Sequence, residues 1–86
     1  MSDTPTIYVS TTKALGSAIQ LARKTAGLRQ AEAALLCGVG VRFLSDLENG
    51  KETVRLGVAL KVIDGLGLAL TVAPKKPFWT ASGRSA

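Results

Sequence analysis

Between Gln30 and Glu48 the chain reads QAEAALLCGVGVRFLSDLE, and no other run constrains its fold as tightly. Ala, Leu and Glu favour helix. Gly38 interrupts them with a residue that takes a positive φ at no steric cost. The spacing predicts two short helices, from about Gln30 to Cys37 and from about Val41 to Glu48, meeting at a tight turn. Helices joined so tightly approach closely, so the inner position one turn into the first must be small, and Ala34 sits there. Apolar residues must then plug the angle between the helices. Ala33, Cys37, Val39, Leu44 and Leu47 fall at those places.

The rest of the chain is read outward from this pair. Eighty-six residues allow one small domain. With 47% apolar residues, so short a chain needs an efficient all-helical core, completed by a second copy of itself. Eleven Lys and Arg against six Asp and Glu give a net charge of +5, a balance that suits a polyanionic partner. There is no His, and Cys37 is the single Cys. That excludes an intrachain disulfide, a His-based metal site and any Ser-His or Cys-His relay. Carboxylate chemistry is not excluded on that ground, but no enzyme activity, metal or cofactor is expected. No apolar run reaches the ~20 residues of a membrane span. The N-terminus MSDTPTIYVS lacks the pattern of a signal peptide. A reducing cytosol fits the lone Cys.

Residues 1–10 read as an extended segment containing a strand-like patch, Ile7, Tyr8 and Val9. Ser10, Thr11 and Thr12 offer N-caps for a first helix, and Gly27 stops it. Leu15, Ala18, Ile19, Ala22 and Ala26 recur between them at helical spacing. After the turn residues Asn49, Gly50 and Lys51, a further helix places Val54, Val58, Val62 and Leu66 on one stripe, with Ala59 and Ile63 beside it. Gly65 and Gly67 end it. The period then changes: Leu68, Leu70 and Val72 alternate with Ala69, Thr71 and Ala73, a strand pattern closed by Pro74. A lone strand needs an edge to pair with. Either the Ile7–Val9 patch or the same strand of a second subunit can supply one. Residues 75–86 form a polar tail, expected to be mobile. It carries the adjacent Phe78 and Trp79, which either contact a partner or fold back on the dimer.

The central pair has the layout of a helix-turn-helix, which presents one helix end to the major groove of DNA. From Leu15 to Leu68, through LGSAIQLARKTAGLRQ, CGVGVRFLSDLENGK and LKVIDGLGLAL, the chain resembles the Xre/Cro-type helix-turn-helix family, which includes phage lambda repressor. The resemblance implies an all-α, lambda-repressor-like domain of four to five helices over residues 11–67. It implies a structural salt bridge between Arg23 and Glu48. Gln30 would contact phosphate and a base edge. Gly40, Val41, Arg42 and Ser45 would face bases, and Asn49 and Lys51 would touch phosphate. Among these Arg42 is the best base reader, because a guanidinium matches the two acceptors of guanine.

Three positions depart from the family pattern. Arg29 replaces the usual Thr or Ser cap and adds a cation beside DNA. Gly40 replaces a Ser, leaving Val41 to meet a thymine methyl. Asp46 places a negative charge on the recognition helix. There it restrains Arg42 at i,i+4 spacing, accepts from a cytosine amine, or faces away.

The ending GLGLALTVAP, with the extended IYVS before the first helix, resembles HipB-type antitoxins of type II toxin–antitoxin systems. That resemblance implies a homodimer whose C-terminal strands (residues 68–74, through Leu68, Leu70 and Val72) pair across the two-fold axis. It also implies a palindromic operator on double-stranded DNA and a HipA-like Ser/Thr kinase toxin as partner. Such a protein would repress its own operon. The alternatives are a stand-alone Xre-family repressor and a protein-only adaptor built on the same fold, the latter kept open by Gly40 and Asp46.

Overall fold

The computed structural model describes residues 6–74. The tail, with Phe78 and Trp79, lies outside them. Four helices follow one another: α1 (Thr12–Thr25), α2 (Gln30–Cys37), α3 (Val41–Glu48) and α4 (Leu56–Gly65). α3 is packed between α1 and α2, and α2 also rests on α4. With eight residues each, α2 and α3 are too short to be stable alone in water. Their order comes from burial of one face.

Thr11 starts α1 by accepting from the Ala14 N–H through Oγ1 (3.0 Å). All four helices stop in the same way. Gly27, Gly38, Gly50 and Gly67 take φ between 73° and 82°. In each case the glycine N–H and the next N–H reach back three and five residues to helix carbonyls, the pattern of a Schellman cap. After three of these glycines comes an apolar residue, Leu28, Val39 or Leu68, that packs against the core. After the fourth comes Lys51, which is exposed.

The core is made of Ile19, Ala33, Ala34, Cys37, Leu44, Leu47, Ala59, Val62 and Ile63. The small Ala33 and Ala34 let α2 lie close to its neighbours, and Val39 is half-buried where the two short helices meet. Cys37 is buried, which pushes its thiol above the ordinary range and away from thiolate reactivity.

α1 departs from its expected stripe. Its buried residues are Gly16, Ile19 and Arg23, while Leu15, Ala18 and Ala22 are half-buried and Ala26 is exposed. The inward face is set by close backbone approach and by charge pairing, neither of which hydrophobic spacing reports. At Gly16 a Cβ would fall against the backbone carbonyl oxygens of Leu47 and Glu48, at the end of α3. One turn earlier, Thr12 Oγ1 donates to the Gly50 carbonyl (2.8 Å). The last turn of α3 is therefore seated directly on the α1 backbone.

Arg23 completes that joint. Its Nε and Nη2 donate to Glu48 Oε2 (2.6 Å) and Oε1 (2.9 Å), and its Nη1 donates to the Leu28 carbonyl (2.8 Å). The two side chains are only 8% and 1% exposed. Burial works against ionised Glu48. The hydrogen bonds from Arg23 and Gln30, with the Arg23 charge, outweigh it and hold the carboxyl below the usual carboxylate range. The hydrogen bonds that Arg23 donates to Glu48 raise Arg23 further still, against the cost of its burial.

The expected strand at Leu68–Val72 is absent among the described residues of the single chain, as is any ladder to Ile7–Val9. The Leu68 N–H is consumed by the Ile63 carbonyl in closing α4 (2.9 Å). Beyond it no neighbouring strand within the described residues offers the backbone an edge. The two segments instead border one groove of about 1190 Å³, floored by Leu15, Ala18, Ile19 and Ile63.

Three predictions concern this joint. Gly16→Ala, which elsewhere in a helix would stabilise by about 1 kcal/mol, destabilises here by about 1–3 kcal/mol through overpacking. Urea denaturation reads the sign directly. For the ion pair, Arg23→Met alone strands a buried carboxylate and costs about 3–5 kcal/mol, whereas Arg23→Met with Glu48→Leu recovers most of the loss. Because folding depresses the Glu48 pKa, its contribution is present above the ordinary glutamate value of about 4.3. It is lost as pH falls through the lower folded value. The stability gap between wild type and Glu48→Gln therefore narrows from about pH 5 downwards, as measured by denaturant midpoints across pH.

Candidate nucleic-acid interface

α3 has two faces with separate duties. Phe43, Leu44, Leu47 and Glu48 turn inward, with Leu44, Leu47 and Glu48 buried. Val41 and Arg42 are exposed in the first turn, and Ser45 and Asp46 are half-exposed one turn later. Gly40 caps the helix in extended conformation (φ −75°, ψ 149°) with no side-chain hydrogen bond. A Cβ at Gly40 would meet nothing within 4 Å, so packing does not require glycine there. Val41 is 49% exposed, which leaves a β-branched apolar side chain at the entrance of the helix. Among the described residues Arg42 makes neither a hydrogen bond nor an ion pair, so its guanidinium is available to a ligand.

α2 contributes its first turn. Arg29 precedes it, and the Arg29 N–H donates to Glu32 Oε1 (2.8 Å), half of a capping box. That hydrogen bond, followed by the Arg29 side chain, holds Glu32 below the usual carboxylate range. Arg29 has no oxygen with which to cap α2. Its guanidinium lies 3.3 Å from Glu32 Oε2 and is 84% exposed. Gln30, the first helical residue, is half-buried and donates through Nε2 to Glu48 Oε1 (3.0 Å). This bond joins the start of α2 to the end of α3. It places Gln30 beside the turn that carries Asn49 and Lys51, both exposed.

Asp46 pairs with Lys51 (3.6 Å). It therefore turns toward the loop and does not restrain Arg42, one of the three roles that the sequence left open to it. Two of the basic residues expected at phosphates, Arg29 and Lys51, thus already hold acidic partners. Both pairs are solvent-exposed, and pairs of that kind contribute about 0–1 kcal/mol, so a phosphate can displace either acid. The outer surface of α2 and α3 combines free or easily freed cations, polar side chains and one apolar contact, which suits the groove of a duplex.

The remaining site residues belong to other elements. Leu68 packs against the core, while Leu70 and Val72 are 48% and 98% exposed. Together with exposed Ile7, Tyr8 and Val9 they flank the groove over α1 and α4. Gly16 and the first turn of α1, which seat α3, were not singled out by sequence pattern. A glycine in mid-helix where alanine would be better tolerated was the available signal. Among the described residues no His, Cys, Asp and Glu cluster could hold a metal, and no helix is long and apolar enough to cross a membrane.

Comparison with known proteins agrees with this geometry. The helix-turn-helix family profile (HTH_3) matches residues 19–72. A relative from Sinorhizobium fredii (strain NBRC 101917 / NGR234), named "Uncharacterized HTH-type transcriptional regulator y4mF", is 39% identical over 64 residues, covering 74% of this chain and 84% of its own. Among solved structures, one of a HipB variant with an O2 20mer superposes with a TM-score of 0.77 at 26% identity, over 84% of this chain and all of that one. The "Structure of HipA-HipB-O2-O3 complex" contains a chain similar at TM-score 0.76 and 25% identity, over 83% of this chain and all of that one. By the length of the family match, the identity of the relative and the placement of α2 and α3, the chain belongs to the Xre-type helix-turn-helix family of DNA-binding transcriptional regulators.

Proposed function

We propose that this chain is a sequence-specific repressor that binds a palindromic operator as a homodimer, and that it serves as the antitoxin of a HipA-like kinase toxin whose operon it controls. The observation that carries the DNA half is the division of α3. Its inner residues are locked to α1 and α2, so its outer residues, Val41, Arg42 and Ser45, meet a ligand without any rearrangement of the fold. Arg42 reads guanine. Val41 meets a thymine methyl, since Gly40 offers no side chain. Gln30, Asn49, Lys51 and Arg29 hold the backbone on either side.

The dimer half draws support from exposed apolar surface. Val72, Ile7 and Tyr8 leave half or more of their area to solvent and Leu70 leaves 48%, and Leu56 and Leu60 of α4 add 62% and 41% exposure. The residues along the groove, Ile7, Tyr8, Leu70 and Val72, form an exposed apolar rim of the kind that marks an interaction site. A second copy would give the segment at Leu68–Val72 the backbone edge it lacks in one chain. Two-fold pairing would set two recognition helices ~34 Å apart, one DNA turn.

The antitoxin half is supported by the likeness to a HipB chain taken from a complex with HipA. A second reading, a stand-alone repressor, is favoured by the named relative, which is described only as a transcriptional regulator. Co-purification with the product of the neighbouring gene separates the two. A protein-only adaptor would show no DNA preference at all.

In a salt-dependent titration on the DNA upstream of its own gene, Arg42→Ala weakens specific binding by about 1–3 kcal/mol and relaxes preference at one base pair. Lys51→Ala weakens all duplexes alike and lowers the salt slope by about one. Equal affinity of the wild type for upstream and random duplex would sink the repressor proposal. In sedimentation the wild type runs as a dimer and Leu70→Asp as a folded monomer with reduced operator affinity. A wild type that stays monomeric at micromolar concentration defeats the shared-strand arrangement.

A further inference from the structure

Glu48 has a use for Gln30 that a structural salt bridge does not require. Its carboxylate is 1% exposed and gripped on both oxygens by Arg23, with Nε on Oε2 at 2.6 Å and Nη2 on Oε1 at 2.9 Å. A two-point grip fixes the plane of the carboxylate, and with it the direction of the remaining lone pair on Oε1. Gln30 Nε2 donates into that direction at 3.0 Å.

A primary amide can face a partner with either end, and the two orientations differ only in which atom meets it. An ionised carboxylate has no proton to give, so it accepts only the NH₂ end. Gln30 is thereby held with Oε1 turned away from Glu48 and with one N–H still free. Half-buried at the first position of α2, it would otherwise sample many rotamers, because glutamine is among the side chains that lose most freedom when ordered.

We propose that Glu48 is a positioning residue for DNA recognition. Clamped by Arg23, it fixes the rotamer and amide orientation of Gln30, so that one acceptor and one donor face the duplex before DNA arrives. The proposal rests on the DNA-binding reading above and adds to it a dependence between two residues. A glutamine so oriented can meet the acceptor and donor edge of adenine, or give its free N–H to a phosphate. In either case the cost of ordering it has been met within the fold. Glu48 itself need not touch DNA.

The test is a double-mutant cycle in operator affinity, run on a background that keeps the fold. Arg23→Met with Glu48→Leu removes the clamp while retaining a packed joint. It is combined with Gln30→Ala, and each protein is checked by thermal melting. Removing the clamp should weaken binding to the upstream DNA about two- to tenfold where Gln30 is present. It should change nothing further where Gln30 is already Ala, and the salt slope should stay constant throughout because Arg23 is buried and leaves together with Glu48, with no change in net charge. An equal loss in both backgrounds would assign Glu48 a purely structural role and overturn the proposal, as would no loss in either while the wild type still prefers its operator. A wild type without operator preference would instead strike the DNA-binding reading beneath it. Independently, the Gln30 side-chain ¹⁵N amide of the free wild type should relax as an ordered group. If it is as mobile as in the denatured chain, no orientation precedes DNA and the proposal fails.

Discussion

The seating of α3 on α1 governs everything else in this domain. α2 and α3 hold few hydrogen bonds of their own and bury few side chains. What makes them rigid is a backbone contact at Gly16, a hydroxyl bridge from Thr12 to Gly50, and the two-point grip of Arg23 on Glu48. These three contacts act on the last turn of α3 and the loop after it. The first turn of the same helix is left free of tertiary contacts on its outer side. A rod fixed at its far end and bare at its near end can enter a groove without first being released from anything.

Much of this was legible in the sequence, and the reasons are local. Gly38 and the residues packed about it announce the paired helices, because positive φ and close packing each tolerate few residue types. Cys37, Leu44 and Leu47 are buried where spacing puts them. Helix ends were equally readable, since glycine punctuates all four. The α1 face was harder. Hydrophobic periodicity points to the stripe through Ala18, Ala22 and Ala26, yet the helix turns Gly16 and Arg23 inward. Glycine and arginine do not register as apolar. Their burial depends on carbonyls and a carboxylate that lie more than twenty residues further along the chain.

The candidate site was legible as a set of residues and less so as an arrangement. The partner of Asp46 is Lys51, five positions on across a helix end, and not Arg42 at helical spacing. The i,i+4 rule describes neighbours on an unbroken helix, whereas the cap at Gly50 folds the chain back and brings Lys51 within reach. Gln30 is engaged by Glu48 eighteen residues away, a relation visible only once α2 and α3 are in register. The strand expected at Leu68–Val72 illustrates the opposite limit. Its alternation is plain in the sequence, but strand structure belongs to a pair of edges, and one described chain offers only one.

The division of α3 also bears on how such a protein can acquire a new target. The inward residues Leu44 and Leu47 carry the fold alone, the outward Val41, Arg42 and Ser45 are the proposed readers, and Glu48 would bear on the reading only through Gln30. Exposed substitutions away from caps and core alter stability by about half a kcal/mol or less. The outward positions can therefore drift through many side chains while the domain stays folded. Under the proposed DNA-binding role, target preference is a property that a few substitutions would rewrite, on a scaffold that does not register the change.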